Sequence, residues 1–176
     1  MKDLFTAAQQ RLSTEVPALR MVDWDLGQLA QEELPDLSYP AALIKVEETD
    51  QQALGRYQTA GPATLYVTLA FRVFERTHSI AEDQWRAKGL EHLDTLHAAK
   101  WALQGYSGPA FSALNYRSGV NTERADLRIY LLSFECETTD TAPADKNKYI
   151  PWPDAGGTGA GPDLCLEDEQ DNSLLR

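Results

Sequence analysis

The amino-acid sequence predicts an α+β fold: an antiparallel sheet of about four to five strands, with a long helix and a short N-terminal helix packed on one face. Apolar and polar residues alternate along residues 61–79, GPATLYVTLAFRVFERTHS, which is typical of a half-buried strand. Residues 80–105 follow with helical periodicity, and two more strand-like runs come after them. The chain has 176 residues, 43% of them hydrophobic, which is enough for one domain with its own core.

The N-terminal part of the chain predicts a short helix and two strands. Residues 3–14 carry apolar side chains at helical spacing, and Pro17 closes that helix. Residues 19–25, LRMVDWD, and residues 40–48, PAALIKVEE, have the composition of strands. A loop rich in turn residues and acids lies between these strands. Residues 49–60 are predicted to form a polar connection.

The long strand that follows this connection has two different faces. Its apolar face consists of Leu65, Val67, Leu69, Phe71 and Val73. Its mixed face consists of Thr64, Tyr66, Thr68, Ala70, Arg72 and Phe74. We expect a helix to cover the apolar face and water to reach part of the mixed face.

The long helix over residues 80–105 is the predicted cover. Ser79 is a suitable N-cap and Gly105 a suitable stop. The stripe predicted to face the sheet consists of Trp85, Gly89, Leu93, Leu96, Lys100 and Leu103. His92 is predicted to be a surface residue, and His97 is predicted to flank the core.

Two strands complete the predicted sheet. The first has strand character around residues 110–118, AFSALNYRS, and the second is residues 125–139, ADLRIYLLSFECETT. GVNTERAD, residues 119–126, is predicted to be the hairpin connection between them. One face of the second strand consists of Leu127, Ile129 and Leu131. Its other face consists of Tyr130, Leu132 and Phe134.

The chain divides into a core domain, residues 1–139, and a C-terminal arm, residues 140–176. Residues 138–176 contain eight acids, three bases and four prolines, together with the run GGTGAG. This composition favours an extended or mobile arm. The run GGTGAGP, residues 156–162, lacks the preceding strand and following helix that a phosphate-binding loop requires, so we interpret it as a linker.

Charge and composition exclude several classes of protein. The net charge of −11 and the pI of about 4.6 leave no basic footprint for nucleic acid or for an anionic membrane surface. The N-terminus lacks the apolar core of a signal peptide, and no run approaches the length of a membrane span. Cys136 and Cys165 are too few for a disulfide framework and predict free thiols in a reducing cytoplasm, with a single bridge between them as the alternative.

The sequence shows no pattern of catalytic residues. His92 and His97 are five positions apart on one helix, whereas shared metal ligation needs a spacing of three or four. Cys136 lies among acids, which raise the pKa of a thiol and disfavour a reactive thiolate. We therefore predict a protein that is not an enzyme and that uses no cofactor and no metal.

An acidic region spans residues 15–50, where nine acids stand against two bases. Carboxylates of this kind could bind Ca²⁺ or Mg²⁺, but no EF-hand pattern is present, and we favour a solvated acidic edge. A further interpretation is a head-to-tail contact between copies, in which this region meets Arg117, Arg124 and Arg128 of the next copy.

The four tryptophans are predicted to be core or interface anchors rather than parts of a ligand cage. Trp152 is the one best suited to an interface. The run YIPWP, residues 149–153, places its aromatic side chain between prolines on the arm. Such a side chain is a good anchor for docking on another subunit.

This succession of elements resembles the small tail-terminator, or tail-completion, proteins of long-tailed phages and prophages. The resemblance covers about residues 3–140. It is carried by the opening helix KDLFTAAQQRLSTEVPALRMVDWDLGQL, the strands YPAALIKVEE and LYVTLAFRVFERT, the helix LEHLDTLHAAKWALQGYSG and the ending FSALNYRSGVNTERADLRIYLLSFECETTD. Such proteins often contain an "L..LD..H..L.G" helix and a hairpin that ends in a "Y.L.F" strand.

The resemblance implies a homo-oligomeric ring, typically sixfold, that caps the tail tube, stops its growth and offers a surface to the head-side connector. Members of this family have no active site. The implied partners are other copies of the chain, the tail tube protein and the head–tail connector protein. The implied location is the virion tail, after synthesis in the bacterial cytoplasm. A head-completion role and a small α+β module for a ligand or divalent ion remain as alternatives.

In such a ring, the mixed face of the long strand is expected to meet a neighbouring subunit, and exposed strand edges suit contacts between sheets. The residues predicted to lie at subunit interfaces are Tyr66, Arg72, Phe74, Arg117, Arg124, Arg128 and Trp152.

Overall fold

The computed structural model describes residues 1–30, 36–55, 58–72, 78, 80–122 and 126–141. These residues form two α-helices, a short 3₁₀ helix and six strands, in the predicted α+β class. In chain order the elements are α1 (Lys2–Glu15), β1 (Met21–Trp24), the 3₁₀ helix (Gln28–Ala30), β2 (Ala41–Glu48), β3 (Gln52–Gly55), β4 (Gln58–Phe71), α2 (Asp83–Leu103), β5 (Asn115–Thr122) and β6 (Arg128–Thr141). No helix among them is long and apolar enough to cross a membrane.

The strands form one sheet in the order β1-β2-β4-β6-β5, and β3 lies beside the first residues of β4. All neighbouring strands are antiparallel except β1 and β2, which are parallel. β4 is the central strand, because it pairs with β2 over Ala63–Ala70 and with β6 along its whole length. The longest predicted strand therefore lies in the middle of the sheet.

β3 lies within residues 49–60, where the sequence predicts only a polar connection. All four residues of β3 are exposed, so its side chains show no apolar alternation that could reveal a strand. β2 and β3 both pair with β4. The chain between them passes through Asp50, whose φ is 47°. A side chain at Gly61 would lie 3.0 Å from Gln51 Cα, so this close backbone approach requires glycine. Pairing with β4, rather than burial, makes β3 a strand.

One core fills the space between the sheet and both helices. The predicted apolar face of the long strand is confirmed for Leu65, Val67, Leu69 and Phe71, which are all fully buried beneath the helices, and its fifth residue, Val73, lies outside the described residues. The other elements contribute the following side chains to this core: Leu4, Ala8 and Leu12 of α1, Ala99, Ala102 and Leu103 of α2, Ile44 and Val46 of β2, and Leu132 and Phe134 of β6. The two predicted faces of the last strand are also confirmed.

The boundaries of α2 differ from the prediction at one end. α2 begins at Asp83, after the N-cap residue Glu82, whose carboxylate accepts a hydrogen bond from the Gln84 side chain but makes no capping hydrogen bond to the helix backbone. The predicted N-cap, Ser79, lies outside the described residues. At the other end the prediction holds, because α2 ends at Leu103 and Gly105 adopts a φ of 76°.

The strand boundaries also differ. β4 ends at Phe71, well inside the predicted residues 61–79. β5 includes Gly119–Thr122, which the sequence assigns to the hairpin connection. Before β5, the chain turns through residues 108–111 and hydrogen-bonds to β6, where the Ser112 amide donates to the Glu137 carbonyl. Residues 110–112 and then β5 therefore pair in succession with one long edge of β6.

The mixed face of the sheet is covered at one end by the protein's own loop. Leu29 and Tyr39 pack there against a small cluster of Ala70, Leu127 and Ile129. This part of the mixed face is therefore already in contact with protein.

Candidate interaction surface

α2 exposes four large apolar side chains: Trp85, Leu90, Leu93 and Trp101, at 50, 40, 39 and 57% exposure. At 100° per residue, Leu90, Leu93 and Trp101 share one outward face, whereas Trp85, in the first turn, lies on the side of Leu103. Of the predicted sheet-facing stripe, Gly89 and Leu103 are buried, but Trp85 and Leu93 are exposed, so the prediction is wrong for these two. The other buried residues, Ala99 and Ala102, have small side chains that let the helix approach the sheet closely, which turns Leu93 towards solvent.

A groove of about 400 Å³ lies between α2 and β5, and we call it the α2–β5 groove. Its apolar lining consists of Leu93, Leu96, Tyr116, Tyr130 and Leu132. Its other lining residues are His97, Lys100, Gly119 and Asn121. Most of this lining is apolar, and Leu93 joins it to the exposed face of α2.

Contacts between α2 and β5 shape this groove. The Tyr116 amide donates a hydrogen bond to Gln104 Oε1 at 2.8 Å, which ties β5 to the end of α2. Lys100 Nζ lies 3.9 Å from the centre of the Tyr116 ring, a cation–π arrangement. A Cβ at Gly119 would lie 2.5 Å from the Tyr116 hydroxyl and 3.3 Å from Leu132 Cδ2. The missing side chain at Gly119 therefore lets Tyr116 lie across the strand.

β5 is the edge strand beside this groove, and within the described residues it pairs only with β6. A register shift between Tyr116 and Ser118 marks a bulge at Arg117, whose side chain pairs with Glu135 at 2.6 Å. Val120 is 53% exposed on the opposite face. The unpaired backbone groups of such an edge can accept another strand.

Four of the predicted interface residues lie in the described part of the chain: Tyr66, Arg72, Arg117 and Arg128. Phe74, Arg124 and Trp152 lie outside it. Tyr66 is half-buried on the mixed face, and Arg117 is near the β5 edge. Arg72 and Arg128 are exposed at one end of the β4–β6 pair, where Phe71 is the partner of Arg128. These four side chains are therefore spread over the sheet.

His92 is half-buried between α2 and β6, so its predicted surface position is wrong. Its Nδ1 lies 2.9 Å from the Gly89 carbonyl oxygen, and its Nε2 lies 3.0 Å from the Tyr130 hydroxyl. Because a carbonyl can only accept, Nδ1 carries the proton of the neutral ring and Nε2 accepts from the hydroxyl. Burial lowers the pKa of His92, and the charge of Arg128 lowers it further, against the effect of the Gly89 hydrogen bond.

His97 is exposed rather than flanking the core, so that prediction is also wrong. Its Nε2 accepts a hydrogen bond from Trp101 Nε1 at 2.7 Å. The two histidines exchange their predicted environments because α2 is rotated about its axis relative to the predicted stripe.

The lowered pKa of His92 predicts that the folded protein loses stability as the pH falls from about 7 to about 5. The unfolded chain binds a proton at His92 at a higher pH than the folded chain does, so protonation favours unfolding below the ordinary value of 6.5. Urea unfolding at several pH values should show a smaller loss in a His92→Gln variant. Equal slopes in the wild-type and His92→Gln proteins would contradict the prediction.

Cys136 is buried on the helix-facing side of β6. Burial, with smaller contributions from the charges of Glu137 and Glu48, raises the pKa of its thiol to about 11. The sequence correctly predicts a raised pKa, although burial is the larger cause.

We expect thiol labelling of native Cys136 at pH 8 to be about 100-fold slower than that of an ordinary thiol, because less thiolate is present. A Cys165→Ser variant leaves a single thiol for this measurement. Labelling in urea provides the ordinary rate. Equal rates in the native and unfolded protein would show that Cys136 is accessible and ionisable.

A second cavity, of about 700 Å³, lies beside the end of β4 and the first half of α2. Its charged lining residues are Arg20, Arg72, Lys88 and Glu91, and His92 lines it as well. Among the residues that the structure describes, three cationic side chains and one carboxylate line this cavity, in contrast to the net charge of the protein, −11. An anionic group suits this cavity better than a cation does.

Two carboxylates of the acidic region accept hydrogen bonds from backbone amides at the end of β1 and just after it. Asp23 Oδ1 accepts from the Trp24 amide at 2.8 Å, and Asp25 Oδ1 accepts from the Gly27 amide at 2.9 Å. In the part of the chain that the structure describes, no three His, Cys, Asp or Glu residues are grouped to hold a metal ion.

No family model matches the chain, and no curated protein matches it. Among solved structures, the chain is similar to a chain of the "Virion of native gene transfer agent (GTA) particle", with a TM-score of 0.44 and 14% sequence identity. The match covers 77% of this chain and 94% of that chain.

Proposed function

We propose that the protein is a structural component of a phage-like tail: a tail terminator that forms a ring, caps the tail tube and meets the head-side connector. The pattern of elements that resembles the tail-terminator family supports this role. The observation that carries the proposal is the exposed apolar surface of α2 beside the unpaired edge of β5. We propose no catalytic role.

The exposed apolar surface favours a protein that binds other proteins. Leu90, Leu93 and Trp101 lie on one face of α2, and Leu93 lines the adjoining groove. Single exposed apolar residues are common, but a group of large ones with an apolar groove is typical of an interaction site. Tryptophan is also among the residues that contribute most to protein interfaces.

The two edges of the sheet suit contacts between copies that are arranged head to tail. A closed ring needs two different surfaces on each subunit, one on either side. β1 and β5 lie at opposite edges of the sheet. Asp23 lies in β1, and Arg117 lies in β5, so the charges at these two edges are complementary in sign. Arg117 already pairs with Glu135 within the subunit, so we expect the apolar surface to contribute more affinity than these charges.

Replacing Leu93 by glutamate should abolish ring formation, because it places a carboxylate in the apolar contact while leaving the core unchanged. Native mass spectrometry and negative-stain imaging, at low and at physiological salt, measure the assembly. We expect closed rings of uniform subunit number for the wild-type chain and monomers for Leu93→Glu. Leu54→Glu is the matched control, because Leu54 is 62% exposed on β3, which belongs to neither of the edges proposed for the contact. A wild-type chain that stays monomeric at high concentration in both salts would contradict the proposed ring.

A growth assay separates the terminator role from a head-completion role. Purified chain is added while a tail tube protein from the same genome polymerises. A terminator should stop elongation and produce capped tubes of limited length. Unchanged tube lengths, despite ring formation, would favour the head-completion alternative.

The cavity beside Arg20, Arg72 and Lys88 favours one alternative function, the binding of a small anionic ligand. Phosphate or a dicarboxylate should then raise the melting temperature more than chloride at equal ionic strength, without a change in oligomeric mass. An equal shift with all three salts would exclude this function for these anions.

A further inference from the structure

The α2–β5 groove has the dimensions of a site for a short peptide segment. Its volume of about 400 Å³ lies in the range of pockets that hold small ligands. It is too small for a helix of a partner but accommodates one large side chain and its neighbours. Leu93 and Tyr116 stand on opposite sides of it, on α2 and β5.

The chain beyond Thr141 contains one segment with matching chemistry, Tyr149–Pro153. Tyr149 and Trp152 are the only aromatic residues of the sequence after Phe134. In general, residues that precede proline favour extended conformations, which reduces the entropy lost on binding, and Ile150 and Trp152 each precede a proline. Proline-rich extended segments are bound by aromatic-lined grooves, and this groove presents the rings of two tyrosines.

The length of the chain indicates which copy supplies this segment. Leu132, in the groove, lies nine residues before Thr141 on β6, which is about 31 Å along the strand. Trp152 is eleven residues beyond Thr141 and can be at most about 36–40 Å from it. Because the chain would first have to reverse its direction after Thr141, Trp152 could reach the same groove only with an almost fully extended chain running back along the strand. A groove on a second copy imposes no such restriction.

We propose that the α2–β5 groove binds the segment Tyr149–Pro153 of a neighbouring copy, with Trp152 as the anchor. The indole ring packs against the apolar lining, near the ammonium group of Lys100. This inference rests on the proposed self-assembly, because it requires a second copy. It adds to that proposal a defined contact, in which each arm fastens one subunit to the next.

The experiment measures binding of a fluorescein-labelled synthetic peptide, Lys148–Asp154, to the full-length Trp152→Ala chain, whose own arm lacks the anchor. Fluorescence anisotropy should show saturable binding. Changing tryptophan to alanine in the peptide should weaken binding at least about 30-fold. Asn121→Trp, which fills the groove from the exposed edge strand, should do the same. Asn115→Trp is the matched control, because Asn115 is exposed on β5 but does not line the groove.

Peptide binding that is absent, or that is unaffected by Asn121→Trp, would overturn the inference. A wild-type chain that is monomeric yet excludes the peptide would also overturn it, because its arm would then occupy its own groove. Native mass spectrometry of the same samples tests the ring separately. Rings that form while the peptide fails to bind would overturn the groove inference alone. Peptide binding without closed rings would uphold the docking contact and contradict the terminator role.

Discussion

Replacing Leu65 by alanine is expected to lower the free energy of unfolding by about 2–5 kcal/mol. Leu65 is fully buried in the central strand β4, where its cross-strand partners are Val46 of β2 and Phe134 of β6. Removing three carbon atoms there leaves a cavity that strands on both sides and helices above cannot easily close. Because a domain is typically stable by about 5–15 kcal/mol, this change removes a large share of the total.

The matched control is Leu54→Ala. It makes the same chemical change on β3, where Leu54 is 62% exposed, and should alter stability by no more than about 0.5 kcal/mol. Urea unfolding followed by tryptophan fluorescence measures both. The measurement is best made in the Leu93→Glu background, so that subunit dissociation does not contribute. Equal effects at both positions would show that Leu65 is not part of a close-packed core.

The centre of the sheet could be predicted from sequence because its signal is local. Along β4, large apolar residues from Leu65 to Phe71 occupy every second position, and this pattern alone specifies both the strand and its buried face. The same holds for β6, where Tyr130, Leu132 and Phe134 alternate with residues of the other face. β3 has no such pattern, so only its pairing with β4 reveals it.

The existence of α2 was predictable, but its buried face was not. Of the predicted stripe, Gly89 and Leu103 are buried but Trp85 and Leu93 are not, whereas the close approach of helix and sheet also buries Ala99 and Ala102, which the prediction lacks. One available signal is the number of large apolar residues on α2, which exceeds what a single face can bury. That excess predicts a second contact on the outside of the helix.

The candidate site depends on contacts that a sequence pattern does not contain. The α2–β5 groove exists because β5 pairs with β6 and because Gly119 leaves room for Tyr116. The predicted interface instead follows the mixed face of β4, and part of that face is covered by Leu29 and Tyr39. The prediction of Trp152 as an interface anchor depends on local chemistry alone. The α2–β5 groove offers an apolar lining that suits such an aromatic side chain.

Replacing Gly108 by alanine is expected to lower the free energy of unfolding by about 1–3 kcal/mol, although it adds only a methyl group. That methyl group would lie 2.5 Å from Phe111 Cε1 and 2.9 Å from Phe111 Cζ. The ring cannot move aside freely, because Phe111 is 5% exposed and packs edge-on against Tyr106.

The turn at Gly108 also joins α2 and β5 to the far part of β6, so its distortion should affect the fold beyond the turn. The amides of Gly108 and Phe111 each donate to the other residue's carbonyl, and the Thr139 amide donates to the Ala110 carbonyl at 2.9 Å. Gly55→Ala is the matched control, because a methyl group there meets nothing within 4 Å, and it should leave stability nearly unchanged. Urea unfolding of both variants measures the difference. A Gly108→Ala chain as stable as Gly55→Ala would mean that the Phe111 ring has room to move, and that this turn is packed more loosely than its contacts indicate.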